Sequence, residues 1–258
     1  MDRIAINYRI FKRNRCLNQP KGNSKSQYVS KLFGDIAQRY DLLNNLMSFG
    51  KHQAWRRQAV HMVAQNISVT GPALDVATGT CDFAIDVESF KPKTLIIGMD
   101  FSLPMLQIGI KKLAKKNLNK KISVMIADGH ELPFEENTFA IVTMGFGIRN
   151  FDNPKAALNE INRVLKPGGR LAILEIFPIQ NREFISKLFN LAFKMIAPVL
   201  GSLFANNRQA YEYLPASAES FMSSMQLMGL TEESGFMPIS NREVAFGSVA
   251  ILISEKIN

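Results

Sequence analysis

The sequence predicts a doubly wound α/β fold on a mostly parallel sheet. Three observations carry that prediction. LDVATGTCDFA at 74–84 is an apolar strand that ends on Asp75, breaks into a tight turn at Gly79 and restarts as a helix beyond Asp82. LIIGMDFSLPML at 95–106 and ADGHELPF at 127–134 repeat the device, closing strands on Asp100 and Asp128. VLKPGGRLAILE at 164–175 is a helix end, a Pro-Gly-Gly turn and a further strand. Strands alternating with helices through Gly-rich turns form a parallel sheet covered on both faces. Ligands of such sheets sit at the carboxyl ends of the strands, where all three acids fall.

The elements follow in order. YVSKLFGDIAQRYDLLNNLMSFGKHQAWRRQAV at 28–60 reads as two helices around a loop. Val29, Leu32, Phe33 and Ile36 keep helical spacing, and Asn44, Asn45, Ser48 and Gly50 mark the break. Strands are predicted near 72–77, 94–99, 122–127, 139–145 and 169–176, and helices near 82–90, 102–116, 153–165 and 183–213. A helix at 217–234 and a hairpin of 236–241 with 244–254 close the chain. REFISKLFNLAFKMIAPVLGSLF at 182–204 is long and apolar. Lys187, Asn190 and Lys194 share one stripe of it, and Pro198 and Gly201 break it. An amphipathic helix over a cleft fits better than a span, with packing on the sheet and contact with a membrane interface as equal alternatives.

Composition narrows the function. The 258 residues are 47% hydrophobic and 21% charged, enough for one large core. Two cysteines, Cys16 and Cys81, argue against a disulfide framework and for a reducing compartment. Neither has the spaced Cys or His partner of a zinc site, so no metal is expected. The net charge of +9 suits a solvated basic surface or an anionic partner. The densest cluster, Lys111, Lys112, Lys115, Lys116, Lys120 and Lys121, lacks interleaved aromatics, which argues against single-stranded nucleic acid. Residues 1–27 are basic and acid-poor without a sustained apolar core. They read as a disordered extension, with an organelle transit peptide as the alternative.

Acids closing three successive strands suit a ligand with a ribose, an adenine and an ammonium group. S-adenosylmethionine carries all three. At this point the residues carry a resemblance. The chain resembles the C-methyltransferases of menaquinone and ubiquinone biosynthesis over about residues 28–254. FGDIAQRYDLLNNLMSFGKHQAWRR at 33–57 looks like that family's N-terminal signature, through Tyr40, Asp41, Asn44, Ser48, Gly50 and Trp55. LPFEENTFAIVTMGFGIRNF at 132–151 looks like its second, through the run Phe146 to Asn150. PVLGSLFANNRQAYEYLPAS at 198–217 fits through Gly201, Tyr211, Tyr213, Leu214 and Ser217. Two positions depart. Cys81 stands where the family most often has Gly, and Gly145 where Ser is common.

The resemblance implies a class I fold with seven strands and a C-terminal antiparallel hairpin, a helical cap before it, and a helical insertion near 182–215. It implies methyl transfer to a ring carbon of a reduced prenylated quinone, with no metal and no covalent nucleophile. Demethylmenaquinol is the expected substrate, and a ubiquinone precursor is the alternative. Gly79 and Thr80 would hold the methionine end, with Asp75 near the ammonium. Asp100 would accept both ribose hydroxyls, since a carboxylate offers two acceptor oxygens. Met105 would pack on the adenine, with Asp128 and the Gly129 amide at its amino group. Each strand-end Asp alone could equally be a cap or turn residue.

Arg149 and Tyr40 are the expected catalytic pair. Arginine stays protonated, so Arg149 would lower a hydroxyl pKa or hold a water rather than act as base. A plain salt bridge to Asp152 or Glu175 is its alternative. His52, His61 and His130 are candidate proton carriers, none singled out. A nucleic-acid methyltransferase is disfavoured. The place of a polar-Pro-Pro-aromatic run holds Gly145 to Arg149, and neither cysteine follows a proline. A non-catalytic adenosylmethionine-binding subunit would show decayed Tyr40 and Arg149 regions, and these are intact. The expected setting is cytoplasmic, with reversible contact at the inner membrane face, and a homodimer is compatible with it.

Overall fold

The computed structural model describes residues 24–178 and 208–257. Seven strands form one sheet in the order β3-β2-β1-β4-β5-β7-β6. They are β1 (Ala73–Val76), β2 (Ile96–Asp100), β3 (Ile122–Ile126), β4 (Phe139–Gly145), β5 (Leu165–Ile176), β6 (Phe236–Val244) and β7 (Val249–Lys256). The first five are parallel, and β7 pairs antiparallel with both β5 and β6. The order reverses at β1, where β2 and β4 flank it. That reversal opens a crevice at the carboxyl ends.

The connecting helices are α4 (Asp82–Phe90), α5 (Leu103–Lys115) and α6 (Pro154–Val164). α6 starts cleanly because the Asn153 side chain accepts from the Ala156 N–H, with Pro154 next to it. Alternation along β1 divides the core. Leu74 and Val76 face a cluster with Phe134, Phe139 and Leu158. Ala73 faces the opposite one, with Val63, Phe83 and Ala84. Asp75 shares the Ala73 face by the same alternation, and so lies beneath α4.

The N-terminal cap differs from the prediction. It is three helices, α1 (Ser24–Ile36), α2 (Tyr40–Met47) and α3 (Lys51–Ala64). Asn44 and Asn45, which read as breakers, lie inside α2. The turn is Ser48 to Gly50, with Phe49 and Gly50 both left-handed. The predicted helix at 217–234 is likewise two helices, α7 (Arg208–Glu219) and α8 (Ser224–Glu233). Ser223 and Gln226 form a capping box that starts α8. β5 begins at Leu165, four residues before the expected strand. Gly168 takes a left-handed angle inside it, and the pairing with β4 shifts register between Phe139 and Ile141. The 182–204 segment, the insertion up to residue 207 and the 1–23 extension lie outside the described residues.

Candidate active site

The loops after β1, β2, β3 and β4 meet at the carboxyl edge of the sheet and line a first cavity with α1 and Tyr40. The β1 loop is bent by three left-handed residues, Ala77, Gly79 and Cys81. Its Gly79 N–H donates to Asp100 Oδ2 at 2.7 Å, and the Ser102 N–H donates to Oδ1 at 2.8 Å. Burial pushes the Asp100 carboxyl above the usual range. The Phe101 N–H also lies against this carboxyl. A carboxylate has about four acceptor directions, so the group keeps acceptor capacity for a hydroxyl while holding the loop.

Met105 lies in the same wall and touches the Gly79 site: a Cβ there would sit 3.3 Å from its methyl carbon. Asp128 and Gly129 line the far side. Asp128 Oδ1 accepts from the His130 N–H at 2.9 Å and from His130 Nδ1 at 2.7 Å. Those bonds hold its carboxyl below the usual range. Gly129 must be glycine, because a Cβ would fall 2.5 Å from the Phe151 ring. Carboxylates at two strand ends, an apolar Met105 and Phe151 surface, and a tight glycine loop fit the ribose, adenine and methionine parts of S-adenosylmethionine. Among the described residues, no group of three or more His, Cys, Asp or Glu could hold a metal ion.

Two expected contacts are corrected. The Asp75 carboxylate is not in the cavity wall. It is 1% exposed and accepts from Thr78 Oγ1 at 2.5 Å, Thr143 Oγ1 at 2.7 Å and the Ala84 N–H at 3.1 Å. Burial lifts its pKa to about 7. It fixes the loop and the start of α4 from below rather than meeting an ammonium group. The Thr80 hydroxyl is also turned elsewhere. It donates to Asp41 Oδ1 at 2.7 Å and accepts from Lys112 Nζ at 2.9 Å. Lys112 also meets Asp41 Oδ2 at 2.5 Å and Asp82 Oδ1 at 2.6 Å. Thr80 therefore ties the cap to the loop.

A second cavity, about 270 Å³ against about 120 Å³ for the first, lies beside it. Tyr40 and Phe146 line both. Arg149 lines only the second, with Trp55, Phe177 and Val249 among its apolar neighbours. The Arg149 Nη1 donates to Glu175 Oε1 at 2.6 Å and to the Phe146 carbonyl at 2.7 Å. Its Nε donates to Ser217 Oγ at 3.3 Å. The ion pair with Glu175, one of the two partners in the alternative reading of Arg149, exists and is almost wholly buried, yet Arg149 still borders the cavity.

The departures from the resemblance have steric reasons. Cys81 is left-handed and fully buried, and its Sγ lies 2.5 Å from where a Cβ on Gly109 would stand. Gly109 makes room for it. A Cβ on Gly145 would lie 2.8 Å from the Phe83 ring, so Phe83 excludes a serine there.

Sequence reasoning missed the cap residues Val29, Ser30 and Phe33 in the first cavity. It named Tyr40 as catalytic and His52 among three candidate proton carriers, but not that they stand with Asn44 and Ser48 in one polar row along the second cavity. Their spacing of four is the signal that would have found them.

Fold and strand-end site together define a class I S-adenosylmethionine-dependent methyltransferase. Solved structures agree on the fold. The [4+2]-cyclase SpnF superposes with a TM-score of 0.64 at 17% identity, covering 94% of this chain and 99% of that one. A SAM-dependent methyltransferase from Aquifex aeolicus gives 0.55 at 17% identity, covering 77% and 89%. Residues 21–256 match the ubiE/COQ5 methyltransferase family, and the chain belongs to it. Among its relatives, the ubiquinone/menaquinone biosynthesis C-methyltransferase UbiE of Geobacter sulfurreducens is 40% identical over 90% of each chain. The demethylmenaquinone methyltransferase of Thermus thermophilus is 38% identical, covering 87% of this chain and all of that one. That of Staphylococcus epidermidis is 36% identical, covering 92% and 97%.

Proposed function

We propose that this enzyme methylates a ring carbon of a reduced prenylated quinone, with demethylmenaquinol as substrate. The observation that carries the reading is the pair of cavities meeting at Tyr40 and Phe146. One has ribose-type acceptors, and the other is an apolar chamber bordered by a buried arginine. The names of the Staphylococcus and Thermus relatives favour the menaquinone precursor over the ubiquinone one.

S-adenosylmethionine, when bound, supplies an electrophilic sulfonium methyl. The chain must present a ring carbon to it in line and favour the phenolate that makes that carbon nucleophilic. Asp100 would hold the ribose, with Met105, Asp128 and Gly129 around the adenine and the Gly79 and Thr80 backbone at the methionine end. Arg149, fixed by Glu175, would stabilise the developing oxyanion. Tyr40 would bond a ring oxygen where the cavities join. Burial raises the Tyr40 pKa, so it serves as a neutral donor.

A cytoplasmic enzyme in reversible contact with the membrane surface belongs to the same reading. Its support is the rim of the second cavity, where Phe49 is 85% exposed and Phe246 60%. No described helix is long and apolar enough to cross a membrane. The test is methyl transfer by the purified chain to short-chain demethylmenaquinol under reducing conditions, with the benzoquinol precursor alongside. One added methyl on the naphthalene ring is expected. Methylation of the benzoquinol alone would overturn the substrate, and methylation of neither would overturn the reading.

A further inference from the structure

We propose that His52 is the base that takes the ring-hydroxyl proton, an assignment that rests on the quinol reading above. The row Tyr40, Asn44, Ser48 and His52 runs along one wall of the second cavity. The Asn44 side chain bonds Tyr40. The Ser48 hydroxyl donates to the Asn44 carbonyl at 2.7 Å, and its oxygen lies 2.6 Å from His52 Nδ1.

These two short contacts fix the imidazole tautomer. Ser48 has one proton, and the Asn44 carbonyl can only accept it. If that proton pointed at Nδ1, the contact with the carbonyl would set lone pair against lone pair. Nδ1 therefore carries a hydrogen and donates to Ser48. In the neutral ring Nε2 then bears the lone pair, and no described residue gives it a hydrogen-bond partner.

The surroundings keep the ring neutral. His52 is 6% exposed. Arg56 on α3 and Lys112 on α5 oppose a positive charge there, and Asp82 on α4 and Asp41 on α2 favour one. Burial leads this balance, and the pKa falls below its ordinary value. His52 stands between the second cavity and a charged groove lined by Asp41, Arg56, Asp82 and Lys112. A neutral imidazole that borders the second cavity and keeps one nitrogen bare is a proton acceptor that remains ready through neutral pH.

The step balances. The quinol O–H bond breaks, an N–H bond forms at Nε2, and the O–H electron pair stays on the oxygen and pushes density onto the ring. A phenol-like hydroxyl with a pKa of about 10 does not give its proton to a weak base unaided. Arg149 beside the same chamber offsets that difference by favouring the phenolate. After methyl transfer the ring C–H proton leaves to water, and Nε2 returns its proton to the oxygen. One proton is released per turnover, as the whole reaction requires.

His52→Asn separates this role from a structural one. The asparagine amide nitrogen can take the place of Nδ1 and keep the bond to Ser48, but nothing replaces Nε2. On the full chain with demethylmenaquinol, kcat should fall by about 10²–10⁴. Adenosylmethionine affinity and melting temperature should stay near wild type. The wild-type rate should level off above the His52 pKa, while the variant's should rise about tenfold per pH unit as hydroxide replaces the base. Ser48→Ala, which frees the tautomer, should cost about threefold to tenfold.

Nitrogen NMR of the protein without methyl donor gives a readout independent of turnover. It should show Nδ1 protonated and Nε2 bare, with Ser48→Ala a mixture. A bare Nδ1 in wild type, or His52→Asn turning over within threefold of wild type with the same pH profile, would overturn the assignment. Failure of the wild-type chain to methylate any quinol would overturn the reading and the base with it.

Discussion

Glu175→Gln tests how the site holds its arginine. Glu175 is the penultimate residue of β5, with a side chain that is 0% exposed, against 1% for Arg149. Its Oε1 takes the 2.6 Å bond from Arg149 and a 2.8 Å bond from the Ile176 N–H, and Oε2 takes the Arg149 N–H at 3.3 Å. A glutamine of the same shape keeps one acceptor oxygen, which can still serve the Ile176 N–H and the Arg149 Nη1, but it turns its NH2 towards the Arg149 N–H and removes the countercharge. Stripping one partner from a buried pair costs about 3–5 kcal/mol. The bonds kept at that oxygen, and the wide 3.3 Å spacing of the one that is lost, put this case near the lower end, about 3 kcal/mol. For a chain of this size each kcal/mol moves the melting temperature by about 2–4 °C, so a fall of about 6–12 °C is expected. Scanning calorimetry or circular-dichroism melting measures it. If Arg149 also needs Glu175 to aim it, turnover falls with stability while adenosylmethionine affinity does not. A melting temperature within 2 °C of wild type would show that the pair is not the anchor argued here.

Arg149→Lys keeps the charge but loses the rigid plane in which Nη1 serves Glu175 and the Phe146 carbonyl while Nε serves Ser217. It should lower kcat far more than cofactor affinity, and wild-type turnover at saturating cofactor would remove Arg149 from the mechanism. Asp100→Ala should weaken adenosylmethionine binding by about 1.5–3 kcal/mol through loss of a charged acceptor, as calorimetry on the folded variant will show. An unchanged dissociation constant would defeat the ribose assignment. Asp75 holds its proton to about pH 7 when folded, but only to about 4 when unfolded. The native state therefore loses stability as pH rises from about 4 towards 7. Asp75→Asn, which cannot titrate, should gain on wild type over that interval in urea melts, and parallel curves would refute the shift. Gly145→Ser should cost about 1–3 kcal/mol by pressing on Phe83, and Phe83→Leu in the same chain should recover most of it.

The parallel sheet, the three acidic strand ends and the tight glycine loop after β1 were legible in the sequence, because each is written locally. A run of apolar residues, an acid and a glycine turn need no distant partner to be recognised. The C-terminal hairpin and the helices α4, α5 and α6 were legible for the same reason. What each acid does was not. Asp75 and Asp100 both close strands, but the pleat puts Asp75 beneath α4 and leaves Asp100 on the cavity wall. Only packing distinguishes them. Thr80 and Lys112, thirty-two residues apart, meet Asp41 across the cap, and no local pattern announces that. Gly145 reads as a missing polar contact until Phe83 is seen against it. The class of fold and the sheet edge at which the first cavity opens follow from local sequence patterns. The tertiary structure decided which side chains reach that edge, because burial and hydrogen bonding are set by neighbours far along the chain.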